Sequence, residues 1–268
     1  MARPETISSA ANPLVKSIRR ALAHGGLTED GLAVAETFHL LEEALRSECP
    51  VKIVLAARSV QSAVEAHVRS LAGVRVVVLP DALFQSLAGT ETSQGVIALV
   101  APMSWTLEQL LRGRSLVVVL DGVQDPGNAG AIARAAEAFG ATGVMFLKGT
   151  VSPFNPKTLR ASAGSLFRLP FVHSLDAELA RMALKQNKLD IYAGVPFRSG
   201  NHIQSLVEVD FKRKCAVIIG SEGRGVSEGL HAGAIDLAIP TVGVESLNAA
   251  MAASVILYEA RRQRSLQP

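Results

Sequence analysis

Runs of Val, Ile and Leu recur along this chain, separated by segments whose apolar residues return at helical spacing. In the first hundred residues VKIVLAA (51–57), VRVVVLP (74–80) and QGVIALV (94–100) are β-rich and bounded by turn residues. Residues 10–24 read as a short basic helix. ETFHLLEEALR (36–46) is amphipathic, with Leu40, Leu41, Ala44 and Leu45 on one side, and a further helix fits around Ser59 to Leu71. Residues 101–115 form a connector with a helical turn or two. A second series then begins: strand SLVVVLDG (115–122), helix AGAIARAAEAFG (129–140), strand TGVMFLKG (142–149) and helix LDAELARMALKQ (175–186). Strands LDIYAGVP (189–196), KCAVIIG (214–220) and DLAIP (236–240) follow, before a last helix LNAAMAASVILYEARRQR (247–264). Strands this rich in Val, Ile and Leu, alternating with helices, predict a mostly parallel sheet covered on both faces. The chain is read as two α/β domains, a small one over 1–104 and a larger one over 105–268.

Composition narrows the partners. Hydrophobic residues make up 49% of the 268 and charged residues 19%, enough apolar material for a sizeable core and too much for a disordered chain. Aromatic residues make up only 4%, which argues against an extended base-stacking platform. Residues 1–104 hold 9 Lys and Arg against 10 Asp and Glu; residues 105–268 hold 18 against 14, so the excess positive charge lies in the second domain. A basic element nevertheless opens the chain, with Arg3, Lys16, Arg19 and Arg20 against Glu5. This bias suits a nucleic-acid partner. Cys49 and Cys215 are far apart and lack the spacing of a zinc site, so two reduced thiols and no metal are expected. The opening residues lack a signal-peptide core, and the uncharged helical stretch near 246–258 is too short to span a bilayer. A cytoplasmic protein with no membrane association is the expectation.

Ligands of open parallel sheets bind at loops beyond the carboxyl ends of strands. Three such loops are rich in glycine and polar residues: DGVQDPGNAGAIAR (121–134), GSEGRGVSEG (220–229) and PTVGVESLN (240–248). The first contains neither GxGxxG nor GxxxxGK[ST], which makes a nucleotide-binding oxidoreductase remote. Asn128 could cap the following helix or serve a ligand. Arg134 stands in an Ala-rich helix, either as a solvated charge or as a contact for phosphate or RNA. Glu222 stands among glycines that let a ligand approach the backbone, or on an ordinary turn. Ser246 or Asn248 could cap the last helix.

Taken in order, NAGAIAR, IIGSEGRGVS and IPTVGVESLNAAMAASVILYE closely resemble the three motifs of the SpoU (TrmH-like) branch of the SPOUT methyltransferases, over roughly 115–264. NPLVKSIR (12–19) and ETSQGVIALV (91–100) more loosely resemble the ribosomal-protein-like RNA-binding domain often fused ahead of them. The resemblance implies a parallel-sheet domain closed by a C-terminal trefoil knot, which general folding rules would not suggest. It implies a homodimer whose active sites draw on both chains, S-adenosyl-L-methionine as methyl donor, and RNA rather than DNA as partner. The reaction implied is methylation of a ribose 2′-hydroxyl, on large-subunit (23S) ribosomal RNA by analogy of domain fusion. A tRNA methyltransferase, a resistance enzyme acting on rRNA and a non-catalytic assembly factor are the alternatives. By resemblance, Gly220, Ile239 and Leu247 hold the cofactor through backbone groups, Ser246 and Asn248 sit beside it, Glu222 orders the site, and Asn128 and Arg134 meet the RNA. An arginine keeps its proton in proteins, so orientation of the hydroxyl or its phosphate suits Arg134 better than the role of base. One departure stands out: the stretch PTVGV is one residue shorter than the family pattern.

Overall fold

Each β-rich run becomes a strand, because alternate Val, Ile and Leu side chains find a buried face on either side of a sheet. The computed structural model describes residues 4–69, 71, 73–89, 93–197 and 203–265; Arg3, Ser70, Glu91 and Thr92, which fall in segments read above, lie outside them. The chain splits into two compact units, Met1–Ser104 with Phe154–Arg168, and Trp105–Pro153 with Leu169–Pro268. The segment 154–168 thus folds with the first unit, although a boundary read at residue 104 assigns it to the second.

In the first unit β1 (Glu5–Thr6), α1 (Pro13–His24), β2 (Ala33–Glu36), α2 (Phe38–Arg46), β3 (Val51–Ala57), α3 (Gln61–Val68), β4 (Arg75–Leu79), α4 (Asp81–Leu87) and β5 (Val96–Val100) follow one another. The sheet runs β1-β4-β3-β5-β2, parallel from β1 to β3 and antiparallel at β5 and β2. Asn12 caps α1 by accepting from the Leu14 N–H, and Pro13 supplies a first-turn φ at no loss of a hydrogen bond. Val34, Leu55, Val77, Phe84 and Ile97 form the core with Val15 and Ile18 of α1. Each such buried side chain contributes about 1.5–3 kcal/mol.

The second unit contains α5 (Leu107–Leu111), β6 (Leu116–Asp121), α6 (Pro126–Ala138) and β7 (Gly143–Leu147). The chain then gives α7 (Pro156–Ala161) to the first unit and returns with β8 (Phe171–Leu175), α8 (Ala177–Gln186), β9 (Asp190–Gly194), β10 (Ile203–Ser205), β11 (Cys215–Gly220), α9 (Glu228–His231), β12 (Ile235–Ala238) and α10 (Ala249–Ser265). Its seven strands run in the order β10-β12-β9-β11-β6-β7-β8, every pair parallel. Val117, Val119, Met145, Ile191 and Ile218 pack on one face with Leu110, Ala180 and Leu184. The alternate residues Val118, Leu120, Phe146 and Val217 are buried too, and α10 packs against α6 and β11. Although α10 is apolar or small nearly all round as far as Tyr258, that part is not covered on every side. Met251, Val255 and Tyr258, at helical spacing, are exposed.

In the first unit, α7 starts from the cap Asn155 and lies against β2. Arg160 pairs there with the buried Glu36, whose carboxylate also accepts from the Gly89 N–H at 2.8 Å. Arg168 pairs with the buried Glu43, which Arg46 also reaches at 2.8 Å. Gly164, at φ 88°, passes so close that a Cβ there would lie 2.5 Å from the Glu43 Cβ.

Candidate active site

Parallel pairing brings the carboxyl ends of β6 and β11 level, with Asp121 opposite Gly220, so the loops after these strands share one edge. The β6 loop enters α6 at Asp125, whose Oδ1 accepts from the Asn128 N–H at 2.7 Å, with Pro126 in the first turn. Asp125 is therefore the cap, not Asn128, and the amide of Asn128 is left for other partners. The β11 loop doubles back on itself: Ser221 and Gly225 exchange two backbone hydrogen bonds, at 3.1 and 2.9 Å. A Cβ on Gly220 would sit 2.2 Å from the Gly225 carbonyl carbon, so only glycine permits this fold-back. Asp121 Oδ2 accepts from the Ser227 N–H at 2.7 Å and holds the far side of the loop to β6.

These loops bring three side chains together from distant parts of the sequence. Asn128 Nδ2 donates to Glu222 Oε1 at 2.8 Å, and Asn248 Nδ2 approaches both Glu222 Oε1 and Asn128 Oδ1 at 3.1 Å. Asn248 also caps α10, its Oδ1 accepting from the Ala250 N–H at 2.9 Å. One side chain thus caps α10 with its oxygen and meets Glu222 and Asn128 with its nitrogen.

Two clefts flank the cluster, and Glu222 lines both. One, of about 500 Å³, is bordered by Asp121, Asp125, Asn128, Lys148 and Arg224. The other, of about 640 Å³, is bordered by Gly194, Phe197, Gly220, Ile239, Thr241, Ser246 and Leu247. Its floor of Ile219, Leu237 and Ile256 is apolar, and Thr241, Glu245 and Ser246 make its rim polar. A nucleoside with a charged tail, such as S-adenosylmethionine, would fit a cleft that is apolar on one side and polar on the other. Across the loop after β12, Thr241 Oγ1 donates to the Val244 carbonyl at 2.8 Å, and Val242 and Val244 are exposed.

Of the residues singled out from sequence, Asn128, Glu222 and Asn248 touch one another. Gly220, Ile239, Ser246 and Leu247 border the second cleft. Arg134 joins neither group. Six positions beyond Asn128, it points about 120° away from it round α6, is exposed, and borders neither cleft. Phe197, Thr241, Lys148 and Arg224 also line the clefts and were not singled out. The strand-end rule applied to β7 and β9 would have pointed to Lys148 and to the GVPF stretch ending at Phe197. Among the described residues no group of three His, Cys, Asp or Glu is arranged to hold a metal ion. No described helix is long and apolar enough to cross a membrane.

Residues 115–258 match the SpoU rRNA Methylase family, and residues 12–98 match the MRM3-like substrate binding domain. The chain is 36% identical to an uncharacterised tRNA/rRNA methyltransferase of Synechocystis, over 97% of this chain and 94% of that one. It is 33% identical to the 23S rRNA (guanosine(2553)-2′-O)-methyltransferase RlmP of Bacillus subtilis, over 95% of this chain and 98% of that one. Among solved structures, the AdoMet-bound rRNA methyltransferase of Sinorhizobium meliloti superposes with a TM-score of 0.81 at 27% identity, covering 98% of this chain and 99% of that one.

Proposed function

The chain belongs to the SpoU rRNA methylase family, and from that premise we propose that it is an S-adenosylmethionine-dependent methyltransferase acting on a ribose 2′-hydroxyl of large-subunit ribosomal RNA. The observation that carries this reading is the Asn128–Glu222–Asn248 cluster standing between two clefts. A cofactor cleft and an acceptor cleft sharing one wall are what transfer between two bound molecules requires. S-adenosylmethionine, when bound, supplies a methyl group activated on a sulfonium.

The chain's own residues place the acceptor and exclude water. Gly220, Ile239 and Leu247 hold the cofactor through backbone groups, and Ser246 lies at its polar edge. Glu222 accepts from two amides and so fixes the orientation of both Asn128 and Asn248. Asn128 meets the RNA. Arg134 orients the 2′-hydroxyl or its phosphate and stabilises charge as the proton leaves. Its place away from both clefts supports a homodimer in which it serves the partner's site, and the exposed Met251, Val255 and Tyr258 stripe supports a second chain on α10. The knot belongs to this reading as well. It is supported by β12 lying beyond β9 while α10 returns to β11 and α6.

The first unit, chiefly residues 1–104, recruits the RNA, a role supported by the match of residues 12–98 and by the exposed Lys16, Arg19 and Arg20 on α1. The protein works in the cytoplasm, where its ribosomal substrate is made. The test is to incubate the protein with methyl-tritiated S-adenosylmethionine and unmodified transcripts of 23S rRNA, 16S rRNA and tRNA. Label confined to 23S rRNA, at one nucleotide whose 3′ bond resists alkali, is the expected result. Label on tRNA alone would overturn the substrate, and no label on any RNA would overturn the activity.

A further inference from the structure

The acceptor cleft has a charge problem. Asp121, Asp125 and Glu222 all border it, and a polyanion such as RNA is repelled by carboxylates unless a cation intervenes. Among the described residues two cations border that cleft. Lys148 is drawn aside by Asp176, with Nζ 3.3 Å from its Oδ2. Arg224 lines both clefts, and among the described residues its side chain makes no ion pair or hydrogen bond. Its backbone, by contrast, is held. The Arg224 N–H donates to Ser221 Oγ at 3.2 Å, inside the turn that the Ser221–Gly225 pair closes. A fixed backbone carrying an uncommitted guanidinium at the mouth of an acidic cleft is a ready oxyanion anchor, because the planar fork matches the geometry of a phosphate.

We propose that Arg224 is a positioning residue that grips an RNA phosphodiester next to the methylated ribose and so seats the acceptor in its cleft. The proposal rests on the methyl-transfer reading above and adds a residue to it. The amino-acid carboxylate of the cofactor is the other oxyanion that could reach this mouth. The RNA phosphate is favoured because Arg224 also borders the acceptor cleft, where three carboxylates leave a polyanion otherwise unbalanced.

The experiment compares wild type, Arg224→Ala and Arg224→Lys, using filter binding of an unmodified 23S rRNA transcript across a salt series, steady-state methylation, and calorimetric titration of S-adenosylmethionine. For Arg224→Ala the RNA Kd and KM are expected to rise about 5–10-fold, with the slope of log K against log salt shallower by about 0.7–1. The loss should fall on KM rather than kcat, cofactor affinity should stay at the wild-type value, and lysine should restore part of the RNA affinity as a point charge. An unchanged RNA Kd and salt slope would overturn the proposal. So would a weakened cofactor Kd with unchanged RNA binding, which would assign Arg224 to the carboxylate. The binding arm holds whether or not wild type methylates this transcript, so a failure of the activity itself is seen separately.

Discussion

Asn248 does two jobs with two atoms, and a conservative change separates them. Its Oδ1 caps α10 while its Nδ2 reaches Glu222 and Asn128. Serine is as good a cap but has no amide. Asn248→Ser is therefore expected to melt within a degree or two of wild type, whereas Asn248→Ala loses about 1 kcal/mol. Both should slow methyl transfer by about 100-fold, because the loosened Glu222 and Asn128 no longer hold the acceptor. Thermal melts beside single-turnover rates check this, and a near-wild-type rate for Asn248→Ser would remove the amide from the site. At this scale the sequence was readable where a residue must be of one type, as at Gly220, Glu222 and Asn248. Of the two readings of Asn128 only the cap fails, because Asp125 followed by Pro126 is the stronger cap signal. Lys148 and Phe197 follow strand ends whose loops show no glycine-rich signal, and Arg224 stood inside a flagged loop with nothing to mark its side chain.

Among elements, the long parallel strands were plain because burial on both faces demands unbroken Val and Ile. Others were hidden. β2 is four residues long, β8 carries His173 and Ser174 in the middle of its run, and α7 is a single short helix between Pro153 and Gly164. α7 and the residues after it are held by the buried Phe154, Leu159, Leu166 and Phe167 and by two ion pairs, Arg160 with Glu36 and Arg168 with Glu43. The hydrogen bond from Arg168, more than the nearby charges, holds the Glu43 carboxyl below its ordinary value of 4.5. A carboxyl depressed by folding stabilises the folded state above that value and withdraws its contribution as pH falls through and below it. Urea unfolding of wild type is thus expected to weaken more steeply below pH 4.5 than that of Glu43→Gln. At pH 7, Arg168→Ala should cost about 2–3 kcal/mol, since it leaves a buried carboxylate short of a partner. Parallel pH curves for wild type and Glu43→Gln would show that the pair does not matter.

For the whole molecule, two inactive variants can test whether sites are shared. Arg134→Ala and Asn248→Ala, mixed under conditions where subunits exchange, should regain activity in heterodimers that combine an intact Arg134 with an intact Asn248. Confirmed exchange without recovery, or an active monomer in sedimentation, would end the shared-site reading. The two cysteines report on the units separately, Cys49 in the first and Cys215 in the second, both buried and free. Burial pushes the Cys215 thiol up to about 11 and raises that of Cys49, so neither should be labelled until its unit opens. A chain cut after Ser104 loses Arg160, Arg168 and the Phe167 carbonyl that accepts from Cys49 Sγ at 3.5 Å. Maleimide should therefore label its Cys49 at least tenfold faster than in the full chain; equal rates would show that residues 1–104 are self-sufficient.

The return of residues 154–168 to the first unit also sets an order of events at the ribosome. That unit begins the chain, yet 64 more residues, from Ser104 to Arg168, must be synthesised before its buried carboxylates meet their arginines. At about 5–20 residues per second the wait is about 3–13 s. During it, Glu36 and Glu43 have only the partners that residues 1–104 supply, the Gly89 N–H and Arg46. The first unit thus lacks its last segment until Arg168 is made, and the second still awaits residues 169–268.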